Sequence, residues 1–222
     1  MPHRRPLAVL VALGLAAGTA TANMAFAVRP AAADSARPAT IGAFMPAGYR
    51  EAGRRAAVVD GEAAELVRYA RADGRNATLG AEHFSTVIAD DGRIKGFARI
   101  DLDLVGRPLS TREDAQVIAM DFLREAAPDL LPGMRVSWID PHDEPLRVAR
   151  NGRSEDLTLT GMKVKMRNQA DGLWMGVIVG ADRKVIVFER DIHWISFPGR
   201  RGTEKWLHDA WLVEKGYSVG QS

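Results

Sequence analysis

The sequence predicts an α+β fold: a curved antiparallel sheet packed against one helix, with an additional amphipathic helix at the C-terminus. Three observations lead there. Residues 110–127 form a capped amphipathic run, residues 84–195 hold a train of β-prone segments separated by turns, and a tryptophan-bearing amphipathic stretch follows residue 203. The 222 residues are 46% hydrophobic and 26% charged, with no cysteine. That is ordinary globular composition and excludes a disordered chain or a disulfide-stapled scaffold.

At the N-terminus, Arg4 and Arg5 precede an apolar stretch from Leu7 to Ala17. Small-residue sites follow at Ala20-Thr21-Ala22, Ala25-Phe26-Ala27 and Ala31-Ala32-Ala33. This is the tripartite pattern of a secretory signal peptide, with cleavage expected after Ala27. A membrane span needs ~20 apolar residues, about twice this run. Arg4-Arg5 leave a twin-arginine route open beside the general secretory one. Without residues 1–27 the chain keeps 28 Lys+Arg against 28 Asp+Glu, so no basic surplus remains for nucleic acid. The expected location is the periplasm or the medium. The expected organisation is a signal peptide over 1–27, a flexible Ala/Pro-rich tether over 28–47, a single α+β domain over 48–215 and a tail over 216–222.

Pro30, Pro38 and Pro46, with no apolar period between them, make the tether. Asp60 as a cap, with Leu66, Val67 and Ala70 near one face, predicts a helix over 60–72 that Asp73-Gly74 ends. Asp90-Asp91-Gly92-Arg93 separates the β-prone runs 84–89 and 94–104 as a hairpin turn. In the 110–127 helix Ser110 is the expected N-cap, with Glu113 reaching back to its amide. Ala115, Ile118, Phe122 and Ala126 supply the apolar stripe, and Pro128 ends it. Candidate strands follow at 134–139, 145–149, 156–166, 173–179 and 184–195, with turns at Asn151-Gly152, 170–172 and 180–183. Met162, Val164 and Met166 alternate with Lys163, Lys165 and Arg167, the pattern of a half-buried antiparallel strand. Thr203 caps the expected last helix, 204–214, which carries Trp206, Leu207, Ala210 and Trp211 on one side.

The run Ser110-Thr111-Arg112-Glu113-Asp114-Ala115 through Phe122-Leu123 and Pro128 resembles the helix of PepSY-like and YcdB-like cell-envelope domains. Asp171-Gly172-Leu173-Trp174 and Gly180-Ala181-Asp182-Arg183-Lys184-Val185 resemble the turns of their sheet. The resemblance covers about residues 84–195. It implies a cystatin-like helix-on-sheet fold and a binding role outside the cytoplasm, with regulation of a peptidase or an envelope protein as the usual activity. The chain departs from that family in its Trp206/Trp211 segment and its long N-terminal part, and no functional residue carries over.

Catalytic motifs are missing from the sequence: no HExxH, no Gly-x-Ser-x-Gly elbow, no glycine-rich turn opening a helix. The best polar candidate is Glu189, Asp191 and His193, alternate residues whose side chains would lie ~7 Å apart along one strand face. With a neighbour's help they could form a proton-transfer or metal site; the competing reading pairs them with Lys163, Lys165 or Arg167 across the sheet. The segment Asp140-Pro141-His142-Asp143-Glu144-Pro145 reads as a polar surface loop, because a calcium loop needs more oxygen ligands and a glycine. Trp206 and Trp211 are candidate partner-binding residues. Five positions put them about 140° apart on a helix, so one would dock on the sheet while the other reaches toward a partner.

The expected function is thus non-catalytic binding in the bacterial cell envelope, with another envelope protein or a peptide as partner and no cofactor or metal. Two alternatives stay open: an enzyme using the Glu189/Asp191/His193 face, and a structural or assembly component of the envelope.

Overall fold

The computed structural model describes residues 39–150 and 152–218. The expected signal peptide, residues 28–38 of the tether, Asn151 of the expected turn and residues 219–222 of the tail lie outside them. A single helical turn, α1 (Ala39–Gly42), comes first. Asp60 and Gly61 then take positive φ, 50° and 84°, the backbone of a two-residue hairpin turn that an Asp-Gly pair favours. They join β1 (Tyr49–Val59) to β2 (Glu62–Arg71), paired antiparallel from Val59↔Glu62 to Tyr49↔Arg71. The helix expected over 60–72 is therefore a strand. Leu66 and Val67 are both buried but belong to the cores on opposite faces, as strand neighbours must.

β3 (His83–Ala89) and β4 (Ile94–Ile100) form the hairpin read at 84–104. After α2 (Arg112–Ala126) come β5 (Met134–Arg150), β6 (Arg153–Asn168), β7 (Trp174–Val179) and β8 (Val185–Ile192). The eight strands make one antiparallel sheet in the order β1-β2-β3-β4-β8-β7-β6-β5. A short ribbon, β9 (Trp194–Ile195) with β10 (Arg200–Arg201), and a helix, α3 (Asp209–Glu214), complete the described chain.

This sheet overturns the expected α+β, cystatin-like arrangement. The fold is mainly an open eight-stranded antiparallel sheet with few and short helices, and three misread segments account for the difference. Residues 60–72 supply a strand. Residues 140–145 are the middle of β5, not a loop. Pro141 and Pro145 are tolerated because β5 is an edge strand, and four residues apart they share the parity whose backbone points away from β6. Amides of that parity do point outward: Arg147 donates to the Gly80 carbonyl (2.6 Å) and Ala149 to Asn76 Oδ1 (3.3 Å). Finally, the C-terminal helix is only Asp209–Glu214, so Trp206 precedes it.

α2 lies against one face of the sheet and buries Ala115, Ala119, Phe122 and Leu123 among Phe97, Phe188, Val164 and Met166. Phe122 meets Phe97 and Phe188 edge-on, at 5.8 and 4.9 Å. Within the stretch read as tether, Ile41 is buried and Phe44 stacks on Phe97 at 5.1 Å. The opposite face gathers Leu66, Leu146, Leu159, Ile178 and Ile186 beneath Trp206, Leu207 and Leu212. With both faces covered, β4 is buried along its whole length, which explains why its sequence shows no clean alternation. Gly96 in β4 is required by the fit: a Cβ there would lie 2.5 Å from the Phe188 carbonyl and 2.8 Å from Leu207.

The cap of α2 is Thr111, one residue beyond the expected Ser110. Its Oγ1 accepts the Asp114 amide at 3.0 Å, whereas Ser110 Oγ is buried without a hydrogen-bond partner. Thr111→Ala is expected to lower unfolding free energy by ~1 kcal/mol. Ser110→Ala should be neutral or stabilising, because it removes a buried hydroxyl that bonds to nothing. Urea denaturation of the two variants checks the contrast; equal losses would return the cap to Ser110.

Candidate functional site

The three residues expected on one strand face have separate surroundings. Glu189 points to the face away from α2, where Arg201 grips both carboxylate oxygens (Nη2–Oε1 2.7 Å, Nη1–Oε2 3.0 Å) and His208 Nε2 lies 3.2 Å from Oε2. Asp191 has φ 56°, which breaks the alternation of the strand. Its carboxylate accepts from Lys95 Nζ at 2.8 Å and Arg190 Nε at 3.1 Å. His193 is exposed, and its backbone amide donates to Thr203 Oγ1 at 2.8 Å.

What Glu189 joins is a buried ionic chain. His208 Nδ1 lies 3.9 Å from Glu144 Oε2, Glu144 Oε1 lies 3.5 Å from His142 Nε2, and that nitrogen lies 3.3 Å from Lys163 Nζ. Beside it Arg68 forks onto Asp209 (2.7 and 2.9 Å), which also accepts the Gly80 amide at 2.6 Å. Burial alone would raise the Glu189 pKa, but His208 and Arg201 hold it well below the usual carboxylate range. Burial likewise opposes charge on His208, and the carboxylates of Glu189 and Glu144 overcome it and raise its pKa. Buried His83, close to Arg68, is pushed down to about 3, chiefly by desolvation.

These pairs fasten the C-terminal segment, from Arg201 to Asp209, onto the sheet. The hollow beside Glu189, lined by Lys95, Arg201, Thr203, Trp206 and Leu207 among others, holds about 20 Å³, room for one water and little more. Among the described residues no group of three or more His, Asp or Glu is placed to hold a metal ion. Trp206 and Trp211 do not diverge: their rings meet edge-on at 5.0 Å, Tyr217 stacks on Trp206 at 5.0 Å, and Arg55 lies over Tyr217 at 4.1 Å. Trp206 Nε1 donates to the Val58 carbonyl at 2.7 Å. The helical angle between them does not apply, since only Trp211 is on α3.

A different surface gathers at the β5–β6–β7 end of the same face. Arg135 stands opposite Arg167 and Trp138 opposite Lys165 across β5 and β6; Trp174 stands opposite Arg167 across β6 and β7. Lys165 Nζ is 5.2 Å from the Trp174 ring and 5.9 Å from the Trp194 ring, and Arg167 is 5.4 Å from Trp174. Among the described residues no carboxylate lies at ion-pair distance from Arg135, Lys163, Lys165 or Arg167. Asp140, opposite Lys163 in register, is taken by Arg112 at 2.5 Å. Burial lowers the pKa of Lys163; burial and then the neighbouring Lys163 lower that of Lys165. Two arginines directly opposite each other repel. The alternation of Lys163, Lys165 and Arg167 was plain in the sequence; that Glu189 would turn to Arg201 and His208, forming no ion pair with them, was not.

No family matches this chain, and comparison with curated proteins and with solved structures finds no match. Among the described residues no helix is long and apolar enough to cross a membrane.

Buried His83 and half-buried His208 bend stability in opposite directions. The folded state holds the His208 proton more tightly than the unfolded chain does. Its contribution is therefore complete below the unfolded value of about 6.5 and lost as pH rises through the raised one. The folded state refuses a proton at His83, so stability falls as pH drops from about 6.5 toward about 3. Urea denaturation across pH should show a maximum near 6.5, with His208→Gln flattening the alkaline limb and His83→Asn the acid limb. Unchanged limbs would refute these assignments.

Proposed function

We propose that the chain is an exported, non-catalytic binding module of the bacterial cell envelope, and that its ligand face is the basic and aromatic surface of Arg135, Lys163, Lys165 and Arg167 with Trp138, Trp174 and Trp194. The observation that carries this reading is four cations on one face with no carboxylate at ion-pair distance among the described residues; two of them are partly desolvated, and Glu189 and Glu144 act on those two only from further off. Such a face is at a disadvantage alone and gains when an anionic partner arrives. The most reactive-looking cluster supports binding over catalysis. Glu189, His208 and Glu144 are spent on fastening the C-terminal segment, beside a hollow the size of a water molecule. An envelope protein or peptide, such as a peptidase, is among the partners this reading proposes.

A soluble fluorescent Glu-rich peptide serves as a polyanion probe. The chain should bind it with an affinity that falls as salt rises. The double variant Lys165→Gln/Arg167→Gln should bind about tenfold more weakly, equivalent to ~1.4 kcal/mol, without a loss of melting temperature. Fluorescence anisotropy measures both. Equal affinity in the double variant would reject this face.

A further inference from the structure

The ribbon of β9 and β10 extends the basic face in a direction that the charges do not explain. Phe197, between the two short strands, is 91% exposed. Trp194 at the base of the ribbon is 46% exposed, and Lys165 Nζ lies 5.9 Å from its ring, so the ribbon leaves the cations at its base and carries Phe197 at its tip. Trp138, opposite Lys165, is 41% exposed. Arg200 stands exposed beside the tip.

Resting on the binding face proposed above, we infer that its anionic partner is a lipid surface, entered by the ribbon tip at Phe197 while the cations lie on the headgroup phosphates. An acidic peptide would satisfy the lysines and arginines but give Phe197 nothing to bury against. Hydrocarbon accepts a protruding phenyl ring without needing a shaped pocket. Tryptophan, with an apolar body and one N–H, suits the headgroup level, where Trp138 and Trp194 would sit. Cations spread across neighbouring strands match a plane of phosphates, to which each adds attraction that fades within a Debye length.

Sedimentation of the full chain with vesicles of phosphatidylglycerol or of phosphatidylcholine tests the inference. Comparing variants of that same chain cancels any contribution from residues 1–38. The chain should sediment with phosphatidylglycerol and not with phosphatidylcholine, and bromine-labelled lipid should quench its tryptophan fluorescence. Phe197→Ser should weaken partition about tenfold, the scale of one exposed phenyl ring transferred to hydrocarbon, while leaving Glu-rich peptide binding and melting temperature unchanged. Binding to both lipids alike, or partition indifferent to Phe197→Ser, would overturn the inference. Peptide binding without any vesicle binding would also overturn it while sparing the binding face. Loss of both would remove the face as well.

Discussion

The central strands carry apolar side chains on both faces, and neither face can be left to water. Phe97 and Phe188 on one side, Ile178 and Ile186 on the other, are almost wholly inaccessible. A sheet of this kind needs two covers. α2 supplies the first with Phe122 and Leu123, joined by Ile41 and Phe44. The second is not a long helix but an irregular C-terminal segment that places Trp206, Leu207 and Leu212 over the opposite core. The 72–82 loop is tied both to β5, through the Arg147 and Ala149 amides, and to the second cover, through the Gly80 amide donating to Asp209.

Hydrophobic contact alone would let an irregular segment slide. The buried charges prevent this. Arg201 and His208 converge on Glu189, and Asp209 on Arg68, so the segment is held at three charged anchor points. Buried ion pairs add little net stability compared with apolar packing, but removing one partner leaves a costly unpaired charge. Their contribution here is register. Lys163 and Lys165 differ: the same face that pairs Glu189 twice leaves their ammonium groups without a direct ion pair, beside aromatic rings and a histidine, with Glu189 acting on both from further off.

Local signals in the sequence were reliable where chemistry within a few residues decides the outcome. The 83–100 hairpin follows from Asp91-Gly92 between β-prone runs, and the helix after residue 111 from its cap and stripe, displaced by one residue because Thr111 rather than Ser110 faces the Asp114 amide. The failures are long-range. Leu66, Val67 and Ala70 fit a helix as well as a strand buried on both faces, and only the Asp60-Gly61 turn and its pairing with β1 separate the two. Pro141 and Pro145 look like loop residues unless the strand is known to be an edge. The candidate trio of Glu189, Asp191 and His193 rested on uninterrupted alternation, which the left-handed backbone of Asp191 ends. The basic face was visible as alternating residues, but its lack of acids at ion-pair distance depends on partners 12 to 28 positions away along the chain from those acids, Arg201 and His208 for Glu189 and Arg112 for Asp140.

The margins of the sheet carry a last consequence. An open sheet offers its outermost backbone as a template on which further copies can stack, the first step toward a fibril. One margin here, β1, is studded with Arg50, Glu51, Arg54 and Arg55. The other, β5, lacks donors at Pro141 and Pro145 and has the amides of Arg147 and Ala149 already engaged by the 76–80 loop. A neighbouring strand would therefore meet charge at one rim and, at the other, two prolines and two amides already engaged. Both rims of the eight-stranded ladder thus disfavour the addition of a ninth strand from a neighbour.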